Sequence, residues 1–335
     1  MSGRRLDRLG GLRGRPAAGA GQEWLHLSLR QGGLDLIVNL SLAWQAGSAQ
    51  AVDEARVMVI AGEGGRFVGA LHQPSAARAR LGPSAITLEG HRLQIVGDTL
   101  TVEISGALPL SLTLQATLPP DLSHRLPLGG GASLDWLVLP RMRCVEGWVD
   151  LPGGRRILDG AIAYHDHNWG AFSFGQDFSW EWGFVLPEEA DQDWAIVFSR
   201  LGDRAQHRTR SQGLLFYQGG RLRAAFTGGE LQIEATGALR RAPGLTLPPA
   251  AGLVLPPQGL GVPGGWTVRA RAPGRSLSLS LVAGSTARIA TPAGDEGLTL
   301  VYEVLTTAQI EVNLHGAELR AIGRGVTEAV RHHGA

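Results

Sequence analysis

Apolar and polar residues alternate along most of this chain, in short runs that end at glycine, proline or charged positions. A period of two puts successive side chains on opposite faces of an extended strand, so each run predicts a half-buried β-strand. Such runs follow one another closely from Trp24 to residue 323, which is typical of a β-sandwich or β-barrel. Only 53–59 and 327–332 suggest a short helix. The pattern therefore predicts an all-β protein with little helix.

The length of 335 residues predicts two domains, since domains commonly hold about 100–200 residues. We expect two tandem β-barrels or sandwiches, at 22–180 and 181–330, after a disordered basic tail at 1–21. The tail lacks an apolar segment after its arginines, which argues against a signal peptide. A Pro- and Gly-rich stretch at 242–265 is long for a structureless connection, so it predicts a lid or a disordered excursion.

Charge and composition narrow the classes of function. The chain has 31 basic and 30 acidic residues, and this balance argues against nucleic acid as a partner, because phosphate binding needs a basic face. Every basic residue is arginine, which excludes lysine chemistry. Cys144 is the single cysteine, so no intramolecular disulfide forms and the cytoplasm is the expected compartment. No apolar run reaches the ~18 residues of a membrane span, and the tail predicts only a loose peripheral contact with anionic lipid.

One stretch departs from plain alternation, at 160–170, with the sequence Gly-Ala-Ile-Ala-Tyr-His-Asp-His-Asn-Trp-Gly. If the strand continues through it, the period of two sorts its side chains into two faces. Tyr164, Asp166 and Asn168 point to one face. His165, His167 and Trp169 point to the other.

Tryptophan is concentrated around this stretch. Six of the nine tryptophans lie between positions 136 and 194: Trp136, Trp148, Trp169, Trp180, Trp182 and Trp194. A single tryptophan in a β-protein is more often part of the core. The clustering around a polar motif favours a pocket lined by aromatic rings.

Asp166 is the best candidate for chemistry. Burial among aromatics raises the pKa of a carboxyl group by up to 3–5 units, whereas hydrogen bonds from the neighbouring histidines and Asn168 lower it. The sequence leaves both outcomes open, and it leaves open a structural role for Asp166 in joining loops.

Metal binding and covalent hydrolysis have less support in the sequence. His165 and His167 have the spacing of metal ligands on a strand, but nothing nominates a third ligand such as His72 or Glu181. We therefore expect no metal and no cofactor. No Gly-x-Ser-x-Gly elbow occurs, and Cys144 has no evident base, which disfavours covalent hydrolysis.

The string from Tyr164 to Gly170, with Leu139-Pro140 before it and Trp180-Glu-Trp-Gly183 after it, resembles the lipocalin-like superfamily of AttH-type proteins. The carotenoid 1,2-hydratases, also called hydroxyneurosporene synthases, are more distant members, and fungal Diels–Alderases and tocopherol cyclases look like relatives by fold. The resemblance spans 22–328 and is specific over 139–183. It implies two tandem lipocalin-like β-barrels.

The resemblance also implies a function. An isoprenoid or polyene enters an apolar pocket, Asp166 protonates a terminal alkene, and indole faces stabilise the resulting cation by ~0.5–2 kcal/mol each. Water then adds, as in a hydratase, or an internal nucleophile closes a ring. The residues expected to bind the substrate are Tyr164, Asn168, Trp148, Trp169, Trp180 and Trp182, and those expected to support the site are His165, His167 and Glu181.

Two alternatives remain open at this point. A Diels–Alderase-like pericyclase needs only a pocket that folds an apolar substrate, because proximity accelerates the cyclisation. A non-catalytic lipocalin-like protein needs only to bind a lipophilic molecule.

Overall fold

The structure of the protein is a computed structural model that describes residues 7, 9, 20–45, 52–118, 121–129, 132–172, 178–189, 191–292 and 297–333. Most of the described residues lie in β-strands, so the all-β class expected from the alternation is confirmed. The chain folds into two compact units, Met1–Ser173 and Phe174–Ala335. Each unit is built on one large β-sheet.

The first unit contains a 13-stranded sheet in which β1 pairs with β13, so the two ends of the unit meet. The order is β4-β3-β2-β1-β13-β11-β9-β8-β7-β6-β5, and β10 and β12 also pair with β11. The strands are β1 Gly21–Gln31, β2 Leu34–Trp44, β3 Glu54–Glu63, β4 Arg66–His72, β5 Arg80–Gly82, β6 Ala85–Leu88, β7 His91–Val96, β8 Thr99–Ile104, β9 Leu110–Ala116, β10 Asp121–Gly129, β11 Ala132–Leu151, β12 Gly154–Ile157 and β13 Ile162–Ala171, with one 3₁₀ turn at Ala76–Arg78.

The second unit contains a 10-stranded sheet that joins its first strand to its last. The order is β17-β16-β15-β14-β23-β22-β21-β20-β18, and β19 pairs in parallel with β21. The strands are β14 Ser179–Pro187, β15 Trp194–Gly202, β16 Thr209–Gln218, β17 Arg221–Thr227, β18 Leu231–Thr236, β19 Leu245–Leu247, β20 Gly265–Ala272, β21 Arg275–Pro292, β22 Leu298–Leu314 and β23 Ala317–His333, with a 3₁₀ turn at Gly228–Glu230 and a short helix α1 at Ala251–Val254.

Two strands differ from the others in burial. Most strands alternate between buried and more exposed residues, as β7 does along its whole length. In β13 the residues 162–170 are all buried, and in β14 all residues are buried. A strand buried on both faces needs partners for every polar side chain that it carries. This requirement shapes the environment of Asp166.

The prediction of two short helices is wrong, and so is one of the two alternatives for 242–265. The segments 53–59 and 327–332, which suggested helix, lie mostly or entirely in β3 and β23, because neighbouring strands supply their backbone hydrogen bonds. The stretch 242–265 is not a structureless excursion. It contains β19 and α1, it buries Leu255 and Val262 in the apolar core of the second unit, and Arg288 donates a hydrogen bond to its Pro256 carbonyl at 2.7 Å.

Among the described residues, no helix is both long enough and apolar enough to cross a membrane.

Candidate functional site

The strand that carries Asp166 lies between β1 and β11. His26 of β1 is paired with Asp166, and Trp136 of β11 is paired with Asn168. Directly paired residues in an antiparallel sheet point to the same face. We call Tyr164, Asp166 and Asn168, together with His26 and Trp136, the polar face of β13.

Asp166 is held by three side chains of this face. Trp136 Nε1 donates a hydrogen bond to Asp166 Oδ2 at 3.1 Å, and the Tyr164 hydroxyl donates to the same oxygen at 3.0 Å. Asn168 Nδ2 donates to Asp166 Oδ1 at 3.1 Å. All three donors are uncharged, and Asp166 is only 2% exposed. The result is a buried carboxyl group whose orientation is fixed by neutral groups.

His26 adds a neutral imidazole to the polar face. Burial, together with a smaller effect of the charge of His165, lowers the pKa of His26 to about 3. Its ring lies 6.4 Å from the ring of Tyr164, measured between centroids. At neutral pH His26 therefore adds no positive charge beside Asp166.

The opposite face of β13, which we call the histidine face, consists of His165, His167 and Trp169. His167 Nδ1 lies 2.8 Å from Asp7 Oδ2, and His167 Nε2 lies 2.9 Å from Glu23 Oε1. Because carboxylates only accept hydrogen bonds, both ring nitrogens donate and His167 is an imidazolium. The side chains of Asp7, Glu23 and His167 are all buried.

The pKa shifts agree with this ionic cluster. Burial by itself lowers the pKa of His167, but the charge and hydrogen bond of Asp7 and the hydrogen bond of Glu23 raise it to about 10. Burial by itself raises the pKa of Asp7, but the charge and hydrogen bond of His167, together with His165 Nε2 at 3.6 Å, hold it far below its usual range. The cluster is a buried network of one imidazolium and two carboxyl groups, which is a structural arrangement.

The remaining residues of the histidine face are packed into the apolar core of the first unit. His165 Nδ1 lies 2.8 Å from the backbone oxygen of His26, which holds the ring in place. His165 and seven aliphatic side chains line a cavity of about 10 Å³, which is at the lower limit for one water molecule. Trp169 belongs to the same core and lies 4.7 Å from His167 between ring centroids.

Two of the tryptophans expected to bind substrate lie away from Asp166. Trp169 is on the histidine face, because odd and even residues of a strand point in opposite directions. Trp148 is half-buried near the far end of β11, where the guanidinium carbon of Arg155 lies 3.8 Å from its ring centroid. Val138 of the same strand is paired with Asp166, and ten residues separate it from Trp148, or roughly 30 Å of strand at ~3.3 Å per residue.

The other two tryptophans and Glu181 belong to the second unit. Trp180 Nε1 donates a hydrogen bond to Glu328 Oε1, and Trp182 packs beside Phe184 at 5.8 Å between ring centroids. Glu181 is fully buried on the other face of β14. It accepts hydrogen bonds from two arginines, Arg200 and Arg331, and from the Trp266 indole at 3.1 Å.

The segment 1–21, expected to be a disordered tail, is described at two positions before its last two residues. Asp7 is 2% exposed and bonded to His167, and the Leu9 backbone nitrogen donates to the Pro83 oxygen at 3.1 Å. At these two positions the expectation is corrected. Asp7 is held by the buried cation of His167, and Leu9 is held by packing in the apolar core of the first unit.

The sequence alone did not identify several residues that contact the stretch 160–170. His26 and Glu23 come from β1, and Asp7 precedes that strand, so only the pairing of β1 with β13 brings them together. The alternation Glu23-Trp24-Leu25-His26 puts polar residues on both faces of a predicted strand, and this was the signal available for them. Trp136 was counted in the tryptophan cluster, but its hydrogen bond to Asp166 depends on the register of β11.

No protein-family model matches the chain, and a search of curated proteins finds no match. Solved structures do match. The chain is similar to an AttH-like protein from Nitrosomonas europaea, with a TM-score of 0.65 and 13% identity over 98% of each chain. The chain has the lipocalin-like AttH-type fold. The fold expected from the resemblance is thereby confirmed.

Two further solved structures share this AttH-type fold. CghA, solved with Sch210972, matches with a TM-score of 0.60 and 13% identity over 93% of this chain and 88% of CghA. Kievitone hydratase from Nectria haematococca matches with a TM-score of 0.56 and 13% identity over 98% of this chain and 94% of the hydratase. At 13% identity the similarity establishes the fold alone. The chemistry has to be argued from the side chains of this chain.

Proposed function

We propose that this protein is an enzyme that binds an apolar isoprenoid or polyene at the polar face of β13 and catalyses acid-assisted hydration or cyclisation of an alkene. The observation that carries the proposal is Asp166, a buried carboxyl group with three uncharged hydrogen-bond donors. The fold is shared with a protein named as a hydratase, which supports the same class of reaction.

The polar face has the parts that the reaction requires. Asp166 supplies a proton to a terminal alkene carbon, and the alkene π electrons form the new C–H bond. Trp136 and Asn168 hold the carboxyl group in one orientation by their N–H groups. The Tyr164 hydroxyl can donate or accept, so it can bond the acid both before and after proton transfer. Water or an internal nucleophile then attacks the cation, and the proton that the nucleophile loses returns to the Asp166 carboxylate.

The histidine face does not fit this role. Its ionic groups, Asp7, Glu23 and His167, satisfy one another, and the neighbouring cavity of about 10 Å³ is too small for an isoprenoid. We therefore assign His165, His167 and Trp169 to support of the strand. Asp166, Tyr164 and Asn168 are the residues proposed to meet the substrate.

Two alternatives use the same face without a proton transfer. A Diels–Alderase-like pericyclase would use Asp166 as a polar anchor for a folded substrate, and a lipophile-binding protein would only hold its ligand. CghA was solved with Sch210972, which shows that a protein of this fold has been obtained with a small molecule. Both alternatives predict that the acidity of Asp166 is dispensable.

The test begins with ligand screening by intrinsic tryptophan fluorescence, using retinoids, carotenoid precursors and fatty acids. Bound candidates are then incubated with the wild-type protein and analysed by mass spectrometry. Hydration gives a product heavier by one water, and cyclisation gives an isomer of the substrate. We expect Asp166→Asn to keep binding and lose product formation.

Asp159→Asn is the matched control, because Asp159 accepts a hydrogen bond from the Gly147 backbone nitrogen at 2.9 Å and is exposed. It should leave product formation unchanged. Full activity in Asp166→Asn would favour the pericyclase. Binding without any product in the wild type would favour the lipophile-binding protein.

A further inference from the structure

Two buried glutamates lie opposite each other in the second unit. Glu303 of β22 and Glu328 of β23 are directly paired in the antiparallel sheet, with exposures of 1% and 7%. Directly paired residues point to the same face, so the two side chains are neighbours. Two ionised carboxylates only accept hydrogen bonds, so a hydrogen bond between them requires one shared proton.

Aromatic side chains surround the pair on its own face of the sheet. Trp180 Nε1 donates a hydrogen bond to Glu328 Oε1. Trp182 of β14 is the cross-strand partner of Glu328, and Phe184 packs beside Trp182. The Trp180 bond orients Glu328 in the same way that the Trp136 bond orients Asp166. The face is polar at the carboxyl groups and apolar around them.

Glu181 shows what a structural buried glutamate looks like in the same unit. It is fully buried, and its oxygens accept hydrogen bonds from Arg200 and Arg331. Two cations therefore pair with one carboxylate at Glu181. Glu328 instead has a second carboxyl group as its cross-strand neighbour, an arrangement in which like charges disfavour the state with both groups ionised.

Within β23 itself, the other charged or titratable side chains on the face of Glu328 lie far along the strand. Arg324 and His332 are each four residues from Glu328, or about 13 Å at ~3.3 Å per residue. Burial raises the pKa of Glu328 to about 7, and the hydrogen bonds of Trp180 and Glu303 offset part of that rise. An acid that titrates near the operating pH is well matched to proton transfer.

We propose that Glu303 and Glu328 form a second acid–base site, which delivers its shared proton to an uncharged, largely apolar organic molecule carrying a C=C or C=O group. The proton forms a C–H or O–H bond with an electron pair of that molecule, and both carboxylates are left ionised. A water molecule that adds to the substrate, or solvent, returns a proton to the pair.

The shared proton is tested by infrared spectroscopy of the whole protein during a pH titration. We expect a protonated carboxyl band that disappears as the pH rises through about 7 and is missing in Glu328→Gln. Asp166→Asn should keep this band, so the result does not depend on the function proposed for Asp166. Wild-type and Glu328→Gln spectra without a difference would overturn the proposal.

Proton delivery is tested with retinol in D₂O, by mass spectrometry of the recovered retinol and its products. We expect deuterium incorporation that falls about 100-fold or more in Glu328→Gln and in Glu303→Gln. Glu311→Gln is the control, because Glu311 lies on the same strand β22 and is exposed. It should match the wild type. Absent incorporation, or incorporation that survives in both test variants, would make the pair structural and overturn the proposal.

Discussion

Each face of β13, with its neighbouring residues, has a buried carboxyl group, an imidazole and an indole. The two faces differ in whether a charged or an uncharged group bonds the carboxyl group. On the histidine face, His167 is a buried cation between Asp7 and Glu23. On the polar face, three of the hydrogen bonds to Asp166 come from Trp136, Tyr164 and Asn168, which are all uncharged. Paired charges hold a structure together, whereas we propose that the carboxyl group of Asp166 carries the proton that is transferred.

The largest effect should come from breaking the histidine face. His167→Ala leaves Asp7 and Glu23 buried without their cation, and breaking a buried pair in this way costs about 3–5 kcal/mol. Chemical denaturation should show this loss in the free energy of unfolding. Asp7→Asn should cost less, since the amide oxygen still accepts a hydrogen bond from His167. A loss below about 1 kcal/mol for His167→Ala would contradict a structural role for this face.

The pH dependence of stability should separate Glu328 from ordinary glutamates. Its pKa is raised from 4.5 to about 7, so the folded protein holds a proton that the unfolded chain releases between these values. Stability from this group is complete below pH 4.5 and declines as the pH rises to about 7, by on the order of 1–3 kcal/mol. Thermal unfolding of Glu328→Gln should lack this decline, and an unchanged pH profile would count against the shared proton.

A smaller effect is expected from Tyr164→Phe. The substitution removes one hydrogen bond to Asp166 Oδ2 and keeps the ring, at a cost of about 1 kcal/mol. Because Trp136 and Asn168 still hold the carboxyl group, ligand binding should persist while the pH profile of turnover shifts. Turnover measured from pH 5 to pH 9 checks this. Loss of ligand binding would assign Tyr164 to binding alone.

The smallest effect is expected from Trp148→Phe. Trp148 stacks under Arg155 at the far end of β11, and a surface cation–π contact of this kind contributes ~0.5–1 kcal/mol. Fluorescence titration and turnover should match the wild type. The matched variant Trp136→Phe removes the indole N–H that bonds Asp166, and it should reduce turnover. Equal losses in the two variants would contradict the assignment of Trp136 to the polar face.

The sequence predicted the separation of the two faces, because a period of two is a local property of a strand. It placed Tyr164, Asp166 and Asn168 together, and the structure joins them by hydrogen bonds. The same rule put Trp169 on the other face, so its assignment to the substrate pocket conflicted with the geometry of the strand.

The residues that contact the stretch 160–170 could not be predicted from local sequence patterns. Asp7 is 160 positions from His167, and Glu23 is 144 positions away, so their contacts depend on which strands pair. The distance of Trp148 from Asp166 follows from β11 being one 20-residue strand. Nothing in the alternation fixes strand order or length, because all antiparallel strands share the same period.

The most direct measurement is the rate constant for product formation by Asp166→Asn, compared with the wild type at equal folded fraction. The substituted side chain should fit, because its oxygen can accept from Trp136 and Tyr164 while Asn168 turns its amide to accept from the new N–H group. We therefore expect ligand affinity and melting temperature near wild type. The rate constant should fall by about 100-fold to 10,000-fold, the usual contribution of a general acid. A rate that falls only in proportion to the folded fraction would contradict the role of Asp166 as the acid.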